Sequence, residues 1–260
     1  MIPLFTLLVS AALAQSQPSP AELPVMVEKV RQKALDYSRS LPNFICTQVT
    51  KRYSGKATSG SRQPSWKLYD TLTIQLSYFE EKENYRLTLV NGKPVTKSME
   101  QLHGGKFKGD FGSVLRNVFD PRSMADFSWV KWDQVNGRRV AVLHFEIDLE
   151  HAVFGTTITR GGRRVHMNWA AEGQVAVDAE TMEVLRVAVD SVGLAENSPV
   201  GAVHLVLSYS RQKVGDQEFL LPLQSENWSN SKSSGAQRGV TLFTDYRKFS
   251  AESGIRFDVP

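Results

Sequence analysis

The sequence predicts an α+β protein in which a single curved, mostly antiparallel sheet forms an unclosed, half-open β-barrel with an N-terminal helix and short inserted helices. Three observations predict this class. An apolar stripe of helical period lies near the N-terminus, runs with a period of two residues follow it, and turn dipeptides separate these runs. Because strand-like sequence flanks each turn on both sides, we expect sequential antiparallel hairpins, with about ten strands.

The first residues are expected to precede the folded domain. Residues 1–14 resemble a signal peptide, since they are apolar at nearly every position and end on Ala12-Leu13-Ala14, the small-x-small pattern of a cleavage site. No Lys or Arg precedes the apolar run, which departs from the usual signal. We expect cleavage near Ala14, a periplasmic or secreted location, a flexible tether over residues 15–24, and a single half-open β-barrel domain over residues 25–260.

The first helix is predicted from one apolar stripe, and its start has two alternatives. Ser19 and Glu22 have capping-box spacing, whereas Pro24 favours a start near Leu23. Pro42 is expected to end the helix, because the residue before a proline avoids the helical conformation. The stripe consists of Met26, Val30, Ala34, Tyr37 and Leu41.

The strands are predicted from apolar residues that alternate with polar ones. The clearest runs extend over 72–78, 85–89, 143–149 and 203–209. Such alternation is typical of an antiparallel sheet with one face on a core and one face in water. The turn dipeptides between the strands are Asn91-Gly92, Asn136-Gly137, Gly161-Gly162 and Gly215-Asp216.

A short amphipathic helix is predicted within "GDFGSVLRNVFDP", with Asp110 as its N-cap and Asp120-Pro121 at its end. A second short helix is expected over residues 97–102. The apolar stripe of the first of these helices consists of Phe111, Val114, Leu115, Val118 and Phe119.

One long helix, a meander of antiparallel strands and short inserted helices behind a signal peptide resemble the LolA/LolB/RseB-like superfamily. The hairpin "GQVAVDAETMEVLRVAV" is similar to the paired strands and acidic turn of those proteins, and "FLLPLQSENW" is similar to their late edge strand with its proline. The resemblance implies an unclosed β-barrel whose concave face is covered by helices and binds lipoprotein acyl chains or related hydrophobic ligands in the periplasm. The chain has no lipobox cysteine, and no ligand-contact residue carries over.

The predicted function is therefore an exported binding protein that holds a hydrophobic or amphipathic ligand in the helix-covered concave face. Its expected partner is a lipid or a lipoprotein, or an envelope protein. The alternative is an envelope protein-interaction or sensory module with no small-molecule ligand. The predicted ligand-binding residues are Phe111, Val114, Leu115, Val118 and Phe119. The helix that carries them is either a permanent plug of the core or a lid that moves on flexible glycines and admits an acyl chain.

A basic turn, "TRGGRRV", is a second candidate site. It brings together Arg160, Arg163 and Arg164, whose guanidinium groups could bind a phosphate or an anionic lipid head group. The alternative is a hairpin end that only water contacts, since turns are exposed by default.

The single cysteine, Cys46, is expected to fill space in the core. A disulfide would need a second cysteine, a nucleophile would need a nearby base, and lipid attachment would need a cysteine directly after the apolar run. In a strand Cys46 shares a face with Phe44, and a buried cysteine behaves as a small hydrophobic residue.

No catalytic motif stands out, and no metal or cofactor is predicted. The run "HFEIDLEH" puts four polar residues on one strand face, namely His144, Glu146, Asp148 and Glu150. A solvated strand face gives the same alternation, and a metal site would need help from other strands, such as His166 or His204. Enzyme activity stays the third class, and it requires these groups to converge.

Composition limits the partners further. With 41% hydrophobic and 22% charged residues the chain can build a core, and its net charge of +4 is compatible with peripheral contact with anionic membrane surfaces. Nucleic acid is not an expected partner, because no strong basic stripe is present. No segment after the signal is apolar enough to span a membrane.

Overall fold

The structure of the chain is a computed structural model. It describes residues 17–56, 65–104, 111–160, 163–194, 198–231 and 235–249. The predicted signal peptide, residues 1–14, lies outside the described residues. No helix among the described residues is both long enough and apolar enough to cross a membrane.

Within these ranges the chain forms two α-helices, thirteen strands and three short 3-10 helices. The 3-10 helices are Met99–Gln101, Pro121–Ser123 and Leu149–His151. The α-helices and strands are α1 (Glu22–Ser40), β1 (Phe44–Lys56), β2 (Ser65–Phe79), β3 (Lys82–Val90), β4 (Lys93–Pro94), α2 (Ser113–Phe119), β5 (Asp126–Val135), β6 (Arg138–Ile147), β7 (Gly155–Arg160), β8 (Arg163–Asn168), β9 (Ala170–Asp178), β10 (Val184–Val192), β11 (Val200–Val214), β12 (Gln217–Ser231) and β13 (Gly235–Lys248).

Helix α1 forms because its apolar residues recur at helical spacing and bury one stripe. Its first turn has half of the expected capping box: the backbone N–H of Ser19 donates to the Glu22 carboxylate at 2.8 Å. That hydrogen bond lowers the pKa of Glu22. The helix begins at Glu22, so the boundary expected at residues 24 and 25 falls inside α1, and it ends at Ser40, two residues before Pro42.

Eleven strands form one antiparallel sheet in the order β4-β3-β2-β1-β13-β12-β11-β10-β9-β6-β5. Strands β4 and β5 stand at the two ends and do not pair with each other, so the sheet is unclosed. The predicted fold class, an unclosed antiparallel sheet with an N-terminal helix and inserted helices, is confirmed. The pairing is not wholly sequential, because β13 inserts beside β1 and the hairpin β7-β8 forms a separate two-stranded sheet between β6 and β9 in the chain.

The large sheet is strongly curled, because the short segment around α2 contacts two strands that are far apart in the sheet order. The ring of Phe111 lies 6.2 Å from that of Tyr78 on β2, while Phe119 stacks at 5.3 Å on Phe127 of β5. Strands β2 and β5 are eight intervals apart in the sheet order, which in a flat sheet is about 38 Å at about 4.8 Å each. Helix α2 has seven residues and is therefore about 10 Å long. Only a curled sheet brings both β2 and β5 into contact with so short a segment.

The core lies on the concave face, between the sheet and the two helices. Its main cluster joins α1 and α2 to β5, β6, β9, β10 and β11. A smaller cluster lies under β1, β2 and β13 and contains Phe44, Cys46, Leu76 and Phe243. The expected role of Cys46 as a core residue that shares a face with Phe44 is confirmed, since its side chain is fully buried.

The Cys46 thiol should be unreactive in the folded protein. Burial raises its pKa to about 12, so almost no thiolate forms at pH 8. Alkylation by iodoacetamide, followed by intact-mass measurement, should be slower by orders of magnitude in native protein than in urea. Because folding favours the neutral thiol, its contribution to stability is present below pH 9 and is lost as the pH rises towards 12. Equal alkylation rates in native and unfolded protein would contradict this burial.

Candidate functional site

Helix α2 is the element that the sequence analysis proposed as a lid. Its apolar stripe is buried in the described structure, where none of the five side chains is more than 6% exposed; these are Phe111, Val114, Leu115, Val118 and Phe119. The last four belong to the main core, whereas Phe111 packs in the smaller cluster under β1 and β2. The helix begins at Ser113 with Gly112 in the N-cap position, and the expected cap, Asp110, lies outside the described residues.

A few polar contacts hold α2 besides its apolar ones. The backbone N–H of Phe111 donates to the Glu83 carboxylate of β3 at 3.2 Å. The Arg116 guanidinium donates to the Ser38 hydroxyl of α1 at 2.9 Å. Arg31 of α1 donates to the carbonyl of Phe119 at 3.3 Å. These contacts tie the start of α2 to β3 and its middle and end to α1, so α2 can separate from both elements only if all three break.

Gly112 sets the close approach of α2 to α1. Its φ of 102° lies in the left-handed region, and a Cβ there would stand 2.9 Å from the Cβ of Ser38. Real Cβ atoms do not approach so closely, so any larger residue must push the two helices apart.

The concave face continues beyond the helices, where strand register determines its chemistry. Residues directly opposite each other in an antiparallel pair point to the same face. Leu207 of β11 packs in the main core and lies opposite Ser225 of β12. Further along β11, Leu205 and Val203 therefore also point inwards. Their partners on β12 are Asn227 and Ser229.

The same rows extend across β13 to β1. Asn227 lies opposite Gly239, and Ser229 lies opposite Gln237. The face thus changes from apolar on β11 to polar on β12 and β13. We call this surface the concave trough and define it by Val203, Leu205, Asn227, Ser229 and Gln237.

The concave trough is accessible and has unused hydrogen-bond donors and acceptors among the described residues. All five of its side chains are half-buried. Asn227, Ser229 and Gln237 form no side-chain hydrogen bond within the part of the chain that the structure describes, and each amide carries both donors and acceptors. The surface can therefore accept an amphipathic molecule, with its apolar part on β11 and its polar part on β12 and β13.

A buried polar ladder follows next to the trough, on β1 and β13. The hydroxyls of Thr50 and Thr241 lie 2.9 Å apart, and the Gln48 amide donates to Thr50 at 3.1 Å. The other amide atom, Gln48 Oε1, is buried without a hydrogen-bond partner among the described residues. A buried polar atom without a partner costs free energy, so a ligand donor that reaches it would be favoured.

A buried ion pair marks the end of this ladder. Arg52 of β1 makes a bidentate pair with Asp70 of β2, at 2.7 and 2.6 Å, and both side chains are less than a tenth exposed. Arg52 also donates to the carbonyl of His103 at 2.7 Å. Through this hydrogen bond the pair holds His103, which follows the 3-10 helix Met99–Gln101, over the concave face.

The second predicted site, the basic turn, stands apart from the large sheet. Arg160 lies opposite Arg163 at the end of the β7-β8 hairpin, and Arg164 lies opposite Thr159. The structure does not describe the side chains of these arginines, so their anion-binding role stays a prediction. At the base of the hairpin, Trp169 stacks on Phe154 at 5.2 Å.

The polar run of β6 does not continue as the sequence predicts. Strand β6 ends at Ile147 and the chain turns into the 3-10 helix Leu149–His151, so only His144 and Glu146 share the strand face. Their side chains are 3.1 Å apart. His204 instead contacts Asp190, at 2.6 Å, and His166 contacts a threonine of its own hairpin. No group of three or more metal-ligating side chains assembles in the described ranges.

The concave trough is not evident from the sequence because two of its five residues lie on "SENWSN", where polar residues occupy both strand faces. Alternation on β11 indicated which way Leu205 points. Only the pairing of β11 with β12 and of β12 with β13 shows that Asn227 and Gln237 share its face.

Comparison with known proteins finds similar solved structures only. No protein-family model and no curated protein matches the chain. A putative outer membrane lipoprotein-sorting protein domain from Vibrio parahaemolyticus is similar at 14% identity and a TM-score of 0.39, over 92% of this chain and 96% of that chain.

Two further solved structures are similar. A LolA superfamily protein from Nitrosomonas europaea matches at 9% identity and a TM-score of 0.32, over 86% of this chain and 94% of that chain. The Mycobacterium tuberculosis lipoprotein LppX matches at 10% identity and a TM-score of 0.31, over 87% and 97%. A LolA superfamily protein is thus among the similar structures, as the resemblance seen in the sequence predicts. At TM-scores below 0.5, these likenesses say nothing about what the chain binds.

Substitution of Gly112 should separate the two helices. Gly112→Ala is expected to destabilise the protein by about 2–4 kcal/mol, through left-handed strain and the contact with Ser38. Gly137→Ala is the matched control, because Gly137 also has a positive φ but has no atom near the position of a Cβ. It should cost only about 1–2 kcal/mol, from strain alone. Urea denaturation measures both; equal losses would show that the helices do not meet closely at Gly112.

Proposed function

We propose that the chain is an exported protein that binds a hydrophobic or amphipathic ligand, a lipid or the acyl chain of a lipoprotein, on the concave face of its open sheet. The observation that supports this best is the concave trough. Its side chains change from apolar on β11 to polar on β12 and β13, and its amides have no partner in the described structure. A molecule with an apolar and a polar end matches that order.

Helix α2 is proposed to act as the lid of this face. Its stripe of Phe111, Val114, Leu115, Val118 and Phe119 covers apolar sheet residues, and an acyl chain would replace those contacts. Each methylene buried contributes about 0.8 kcal/mol, so a chain of ten offsets about 8 kcal/mol of lost helix packing. Gly104 and Gly112, both with positive φ, are the proposed hinge positions of this lid, because glycine changes between backbone conformations without a steric cost from a Cβ.

We also propose where the chain is located and how it contacts a membrane. Cleavage near Ala14 would place the chain in the periplasm or outside the cell. Arg160, Arg163 and Arg164, at the end of the β7-β8 hairpin, are proposed to contact anionic head groups at a membrane.

A second candidate function is a protein-interaction module of the envelope. It is favoured by the β7-β8 hairpin, whose strands pair only with each other among the described residues and form a sheet separate from the large one. We call this hairpin the arm. Such an arm offers free strand edges to a partner protein.

Ligand binding in the trough is tested by two neighbouring residues of β11. Leu205 points into the trough and Val206 points to the opposite face, and both are half-buried. Leu205→Asn should weaken the binding of fluorescently labelled palmitate about tenfold or more, since burying a leucine side chain is worth about 1.5–3 kcal/mol. Val206→Asn is the control and should bind as the wild type does. A fluorescence titration measures both.

A second variant tests the trough without weakening the core. Ser229→Trp fills the trough without removing a core side chain, and it should also block binding. Thermal unfolding monitored by circular dichroism confirms that each variant is folded. If folded Leu205→Asn and Ser229→Trp both bind palmitate as the wild type does, the trough is not the binding site and the interaction module becomes the better proposal.

A further inference from the structure

A shallow cavity of about 290 Å³ lies on the outer face of the large sheet, across β3, β2, β1 and β13. Its position follows from alternation: Thr47 lies between Cys46 and Gln48, and both of these are buried on the concave side. We call the cavity the outer groove. The residues that line it are Thr47, Thr73, Ile74, Gln75, Arg86, Thr88 and Arg247.

Two arginines give this groove a positive charge. Arg86 and Arg247 are exposed, and neither has a hydrogen-bond or ion-pair partner among the described residues. By contrast, Arg211 pairs with Glu183 and Arg238 with Glu226. No carboxylate lines the groove. Two uncompensated positive charges therefore face the same cavity.

The other lining groups are neutral hydrogen-bonding side chains. Gln75 of β2 lies opposite both Thr47 of β1 and Arg86 of β3, so these three form a row across about 10 Å of sheet. The Thr88 hydroxyl already donates to the carbonyl of Thr73 at 2.9 Å. The hydroxyl of Thr47 and the amide of Gln75 remain to donate to a ligand.

We propose that the outer groove binds a phosphoryl group, held between Arg86 and Arg247 with hydrogen bonds from Thr47 and Gln75. A guanidinium presents two parallel N–H donors that match two oxygens of a phosphate, and two such groups match its charge. The shared chemistry fits free phosphate and a phospholipid head group alike. The groove lies on the face opposite the concave trough, so it is independent of the ligand proposed there.

The test uses the full mature chain and inorganic phosphate. Titration followed by amide chemical shifts should give saturable changes at Thr47, Thr73 and Gln75. The double variant Arg86→Gln/Arg247→Gln should weaken binding at least tenfold. The matched control, Lys51→Gln/Arg186→Gln, removes the same charge from exposed outer-face positions outside the groove and should stay within twofold of the wild type.

A second arm separates the two sources of the phosphoryl group. Sedimentation with phosphatidylglycerol vesicles, compared with phosphatidylcholine vesicles, reports a head group presented on a membrane. The site is supported if phosphate or vesicles bind to the wild type and to the control variant but not to Arg86→Gln/Arg247→Gln. The experiment in which this occurs identifies the source of the phosphoryl group. Absence of binding in both arms, or equal binding by the two double variants, overturns it.

Discussion

The curl of the eleven-stranded sheet depends on the packing of two helices against strands that are far apart in its order. No hydrogen bonds join the end strands β4 and β5, so closure does not fix the curvature as it does in a complete barrel. Apolar contact fixes it instead, from Tyr78 on β2 through Phe111 and Phe119 to Phe127 on β5. The Tyr78 hydroxyl also donates to the carbonyl of Ser38 in α1. Because the same contacts fill the concave face, removal of α2 would both open the core and release the curl.

The position of the concave trough follows from where this packing stops. The helices cover the apolar rows of β5 to β11, and Arg52, which is paired with Asp70, holds His103 over β1 and β2. Between the region that the helices cover and the Arg52–Asp70 pair, β12 and β13 present polar side chains to the concave side. An open sheet can therefore carry an apolar wall and a polar wall on one continuous face. The two proposed sites use its opposite faces, with neutral amides inside and unpaired arginines outside.

The sequence predicted those features whose signal is local. The stripe of α1 and α2, the alternation of β11 and the burial of Cys46 beside Phe44 each follow from a few consecutive residues, and the fold class follows from their order. The sequence could not predict the features that depend on long-range register. Arg86 and Arg247 line the same groove only because β13 pairs with β1, and Asn227 shares a face with Leu205 only through the pairing of β11 with β12. The end of β6 at Ile147 was missed because alternation continues into a 3-10 turn.

The most direct test of a ligand-binding concave face is mass spectrometry of small molecules extracted from the denatured protein, after purification from the periplasm of an expression host. We expect a stoichiometric lipid in the wild-type protein and none in a Ser229→Trp preparation that is equally folded. A wild-type protein that is folded, monomeric and free of any lipid would contradict it and would favour the protein-interaction module.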